Sequence, residues 1–190
     1  MIMAEKQFQS ALVHLEDEEM VILDNSGKTP AYFCRRKPVS VTKDLICELK
    51  DMCVAAGGVV RLCLHESPEA EHHDMVVVQH VGQCFIPHRH QEREETFHII
   101  EGELGVFIFS EEGEIVVKCR MSAEGNLIYG IGENLYHAYI PISEMVVFRE
   151  FKSGPFTSEN NFFAPWGPDK DDKEAMQCFV TDLLRLLPHK

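Results

Sequence analysis

The chain has 190 residues, 45% hydrophobic and 26% charged, enough to bury a core and unlike the composition of a disordered segment. Eighteen Lys and Arg against 31 Asp and Glu give a net charge of −13, which argues against generic binding to nucleic acid, where a surplus of cations supplies the affinity. No apolar run approaches the roughly 18 residues of a membrane span. The opening residues have neither the basic flank nor the apolar stretch of a signal peptide. Seven cysteines, odd in number and without a Cys-x-x-Cys pair, suit a reduced cytoplasmic protein better than a disulfide framework.

Residues 1–41 read as an N-terminal extension. Within it Met20–Leu23 and Ala31–Cys34 flank an Asp24-Asn-Ser-Gly27 turn, the pattern of a hairpin. Residues 42–190 read as a single domain. Leu45, Ile46, Leu49, Met52 and Cys53 fall on one face of a helix, with Thr42 as its N-cap and Gly57-Gly58 as its stop. Short β-branched and aromatic runs then follow at 59–64, 74–81, 83–90, 95–101, 103–110, 114–121, 126–130, 135–141 and 145–151, separated by turn residues. No crossover helices intervene, so a barrel or sandwich core over about 59–152 is expected. A Pro-bearing segment follows from Ser153, then a helix after Asp169 whose stripe is Ala175, Met176, Phe179, Val180, Leu183, Leu184 and Leu187. The alternation around Val77 and the pair Phe107 and Phe109 make both sheet faces apolar. The outer face must therefore meet a helix or a second subunit, and a homodimer is expected.

Chemistry concentrates at Gly82-Gln-Cys-Phe-Ile-Pro-His88-Arg-His90-Gln-Glu-Arg-Glu-Glu95 and the run to Gly102. On a strand His88 and His90 point the same way, and a hairpin would return Glu95 beside them. Two imidazoles and a carboxylate at one interior point suit one divalent ion per chain, Fe, Mn, Zn or Ni. His137 has two readings: a fourth ligand, or an interior histidine satisfied by a hydrogen bond.

The spacing Gly82-x5-His88-x-His90-x4-Glu95-x6-Gly102 resembles the first motif of the cupin superfamily at every position. Gly132 and His137 match the second motif loosely, without its Pro and final Asn. Arg61-Leu-Cys-Leu-His65, Pro87-His-Arg-His90, Gly154-Pro-Phe156 and Phe163-Ala-Pro-Trp166 are similar to the WbuC family of cupin-fold metalloproteins. The resemblance implies an all-β, double-stranded β-helix (jelly-roll) barrel with flanking helices. It also implies a setting in bacterial cell-surface polysaccharide metabolism, and it fixes no reaction.

Other residues carry paired readings. Arg61 and His65, alternating with Cys63 on one strand face, are candidate substrate-binding residues; Arg61 either binds an anionic substrate group or pairs with one of the many acids. Tyr139 shares a face with His137 and would donate a proton or a substrate hydrogen bond, or simply pack; Tyr129, on a neighbouring strand, is a candidate substrate-binding residue with the same alternatives. Cys84 falls on the strand face of His88, His98 on the face opposite Glu95, and His72 and His73 in a solvated acidic loop. Phe162, Phe163 and Trp166 close the barrel mouth or anchor the C-terminal segment. The leading expectation is a metal-dependent cupin acting on a small polar or sugar-type molecule, with the metal as Lewis acid. The alternatives are a non-haem Fe(II) oxygenase, a non-catalytic sugar- or metabolite-binding cupin, and a purely structural metal.

Overall fold

The computed structural model describes residues 11–27, 29–155 and 161–187. The first ten residues of the extension and Phe156 lie outside them.

The N-terminal hairpin forms between β2 (Val21–Asp24) and β3 (Ala31–Cys34), in the register Val21 to Cys34 and Asp24 to Ala31. It is joined to the rest of the fold by β3, which pairs in parallel with β5 (Val59–Cys63). Ala31 and Phe33 thus enter the main core. Two short strands, β1 (Ala11–Leu12) and β4 (Val39–Ser40), form a separate parallel pair. Helix α1 (Lys43–Ala55) begins at Thr42, whose hydroxyl accepts the Leu45 N–H at 3.2 Å. It stops where Gly57 and Gly58 take φ of 83° and 118°, conformations that a side chain would strain.

The eight strands that follow are β6 (His72–His80), β7 (His88–His90), β8 (Glu95–Glu101), β9 (Glu103–Phe109), β10 (Ile115–Ser122), β11 (Ile128–Ile131), β12 (Tyr136–Pro141) and β13 (Met145–Ser153). They pair as nested antiparallel partners: β9 with β10, β8 with β11, β7 with β12 and β6 with β13. That nesting is a rolled-up hairpin, the jelly roll, and the all-β reading holds. The larger sheet runs β11-β8-β13-β6-β5-β3-β2. The smaller runs β10-β9-β12-β7-β14, its last strand being β14 (Asn161–Phe163).

Between the sheets lies a core that includes Val77, Phe97, Ile99, Leu104, Val106, Tyr139 and Phe148. Both outer faces are apolar as well. Helix α1 covers Tyr32, Leu62, Val76 and Val78. Helix α2 (Lys173–Leu186) lays Val180 and Leu183, with Leu187 just past its end, over Phe107, Phe109, Ala138 and Ile140. The chain's own helices cover part of each outer face, while Val116, Val117 and Ile128 stay exposed. Among the described residues no helix is long and apolar enough to cross a membrane.

Three expectations are corrected. The run 83–90 is strand only at His88–His90, so Cys84 does not share a strand face with His88; it packs in the cluster beneath α2 instead. Strands β7 and β8 do not form a hairpin: they belong to facing sheets, and residues 91–94 bridge the sandwich edge, with Glu92 at φ 58°. His73 is in β6 and buried, not in a solvated loop, because β6 starts earlier than its acidic flank suggests.

Candidate metal centre

Strand pairing builds the site. His88 and His137 are direct cross-strand partners on β7 and β12, and His90 lies two residues along β7 on the same face. Each of the three rings offers a nitrogen, and these nitrogens lie within 4.8 Å of one another. Glu95 comes from β8 in the opposite sheet, with Oε1 3.7 Å from His90 Nε2 and Oε2 3.1 Å from His137 Nε2. The structure thus brings together the four residues singled out in the sequence, although the carboxylate arrives across the sandwich.

The ring orientations are set by the backbone. His88 Nδ1 lies 3.0 Å from the Ile86 carbonyl, and His137 Nδ1 3.0 Å from the Leu135 carbonyl. A carbonyl can only accept, so each Nδ1 carries a proton, and in the neutral imidazole each Nε2 then presents a lone pair. His137 Nε2 therefore points a lone pair at a carboxylate oxygen 3.1 Å away, and two acceptors at that distance repel unless a cation lies between them. His90 Nε2, His137 Nε2 and Glu95 Oε2 are all buried without a hydrogen-bond partner. Buried polar atoms are nearly always satisfied, and metal–nitrogen bonds of about 2 Å place adjacent donors about 3 Å apart. The donor set fits a divalent ion.

Electrostatics reinforce that fit. Burial, then the neighbouring His137, drops the His88 imidazole to about 3, so it stays neutral and able to ligate. Burial alone would raise the Glu95 carboxyl, but Lys152 overrides it and holds the group well below the usual range. Lys152 Nζ donates to Glu95 Oε1 at 3.2 Å and to Glu150 Oε1 at 2.6 Å. Burial would lower that ammonium, yet the two carboxylates outweigh it and raise it. Burial, against the opposing pull of Lys152, lifts Glu150 to about 7.

Neither Lys152 nor Glu150 was identified from the sequence. Their signal was available: with Val146 and Phe148 they share the inward face of β13, where a charge is out of place unless it has work.

The remaining candidates divide. Tyr139 faces the interior with His137, its ring against Phe85, Phe97 and Phe148. Burial, then Glu150 and Glu95, raises its phenol well above the ordinary value. Tyr129 pairs with Phe97 across β11 and β8 and is only half-buried beside the core. Arg61 projects inward between Val59 and Cys63. His65 is not brought to the site: its ring stacks on His73 at 4.3 Å and accepts the Asp74 N–H at 3.2 Å. His98 pairs with Ile128 on the face away from Glu95. Phe163 lies 6.4 Å from the His88 ring, and Trp166 packs on Phe109 and Tyr136, tying down the C-terminal segment.

A domain of unknown function (DUF6016) matches residues 59–121, which include His88, His90 and Glu95 but stop short of His137. No curated protein matches the chain. The capsular polysaccharide assembling protein CapF from Staphylococcus aureus is similar at 13% identity and TM-score 0.47, over 54% of this chain and 31% of its own. This chain therefore spans about a third of CapF. An uncharacterized protein with a double-stranded beta-helix domain from Klebsiella pneumoniae is similar at 17% identity and TM-score 0.44, over 57% of this chain and 80% of its own. KdgF from Halomonas sp. is similar at 18% identity and TM-score 0.42, over 54% and 84%.

Proposed function

We propose that the chain is a metal-dependent cupin that binds one divalent ion through His88, His90, His137 and Glu95 and acts on a small polar, sugar-type molecule. One observation carries this reading: two imidazole nitrogens and one carboxylate oxygen converge in the core with no partner. Bound there, a divalent ion would polarise a carbonyl or orient a hydroxyl of the substrate. The chain's own residues do the rest. The Ile86 and Leu135 carbonyls fix the rings of His88 and His137, and Lys152 keeps one Glu95 oxygen engaged so that the other is presented. Tyr139, on the inward face with His137, is the residue we assign to deliver a hydrogen bond or a proton. The likeness of Arg61–His65 and Pro87–His90 to the WbuC family supports a substrate from cell-surface polysaccharide metabolism.

The test is elemental analysis of purified protein beside His90→Ala. The proposal expects one ion per chain in the first and none retained in the second. A wild-type chain that carries no ion after exposure to zinc, manganese, iron and nickel overturns it.

A further inference from the structure

Arg61 stands out as a half-buried charge on an inward-facing strand position. It occupies an inward position of β5, flanked by Val59 and Cys63, both members of the inter-sheet core. Its one side-chain hydrogen bond among the described residues is from Nη2 to the Thr29 carbonyl at 3.3 Å, in the turn of the N-terminal hairpin. Nε is buried and has no partner. Among the described residues the guanidinium makes no ion pair within salt-bridge distance, although Asp24 at the hairpin turn lies within its electrostatic reach. The interior carboxylates are already committed, since Glu95 and Glu150 share Lys152.

A half-buried guanidinium whose Nε–H is buried and orphaned is costly to leave without an anion. The same interior holds Lys152, and a divalent ion at the histidines would add two further positive charges against two carboxylates. The positive charges would then outnumber the interior carboxylates, which favours a negative guest. The guanidinium offers parallel N–H donors in a plane, the arrangement that receives an oxyanion with two hydrogen bonds. Arg61 pairs with Val77 on β6, Val77 pairs with Phe148 on β13, and the Phe148 ring packs on Tyr139, so the guanidinium and the metal centre border one interior.

We propose that Arg61 is the specificity residue for an anionic substrate, receiving a carboxylate or phosphate oxygen group while the remainder of the molecule extends toward His88, His90 and His137. The inference rests on the reading of this interior as a ligand site. It gives the N-terminal hairpin a role, since Thr29 steadies the guanidinium from outside the barrel strands.

The test uses the full chain, zinc-loaded and metal-free, with D-glucuronate, D-glucose 6-phosphate and D-glucose followed by calorimetry. At least one of the two anions should bind tenfold or more tightly than glucose. A tighter glucuronate assigns a carboxylate, and a tighter glucose 6-phosphate a phosphate. Arg61→Gln should lose that preference at unchanged zinc content. The anion preference should persist in metal-free protein, so a failed metal reading leaves this result standing. Should Arg61→Gln not fold, the Arg61 Nε–H resonance of wild-type protein replaces it, and it should shift with the preferred anion and not with glucose. Equal binding of all three sugars, a preference retained by Arg61→Gln, or an unmoved Nε–H resonance overturns the proposal.

Discussion

Two groups of buried histidines lie in this fold, and they are built in opposite ways. His65 and His73 stack face to face, 4.3 Å apart and 18° from parallel, and neither has a buried nitrogen without a partner. His88, His90 and His137 are tilted at 52° to 73° to one another, and two of them leave Nε2 buried and unpartnered. Burial alone therefore does not make a histidine a ligand. What separates the groups is where the ring nitrogens point: to backbone groups in one, and toward a common point in the other.

The sharpest way to break this contrast is to exchange the losses. His137→Ala should reduce divalent-metal affinity on the order of 100-fold or more, whereas His73→Phe should leave it within a few-fold. Competition with a chromophoric chelator measures both. Equal losses in the two variants would dissolve the distinction.

Next in size is Lys152→Met. It strips the cation from two buried carboxylates, and breaking a buried pair costs about 3–5 kcal/mol. Urea unfolding at pH 7 should show that drop. A variant as stable as wild type would mean that Lys152 does not hold Glu95 and Glu150 in place.

The smallest effect is acid sensitivity. Burial, then His65, depresses the folded His73 imidazole from 6.5 to about 4. The unfolded chain takes up its proton first, so the stabilising contribution is complete above pH 6.5 and is lost as pH falls from there to about 4. In metal-free protein His88, depressed to about 3, acts with the same sign. His73→Phe keeps a stacked ring and removes one titration, so its stability loss between pH 6.5 and 5 should be smaller than wild type's by at most about 2 kcal/mol. Parallel acid limbs would contradict the assignment.

Much of the fold was legible because periodicity survives folding. The stripe Leu45, Ile46, Leu49 and Cys53 is the buried face of α1, and Phe107 and Phe109 mark a strand covered on its outer side. The donor set was legible because His-x-His on a strand can only point one way. Sheet membership was not: a four-residue link that bridges two sheets reads like one that closes a hairpin, so the route by which Glu95 arrives was misjudged. Residues 83–87 have strand-like composition, yet they make no ladder before His88. Glu150 and Lys152 were overlooked because each is ordinary by residue type. They become informative only once β13 is known to turn that face inward.

The most direct test is a metal titration of the wild-type chain followed by the imidazole nitrogen-15 resonances. One equivalent of zinc should shift the Nε2 signals of His88, His90 and His137 together, leave Nδ1 of His88 and His137 protonated, and leave His65 and His73 unmoved. Saturation without any change in those three Nε2 signals, or a shift carried by His65 and His73, would contradict the proposed centre.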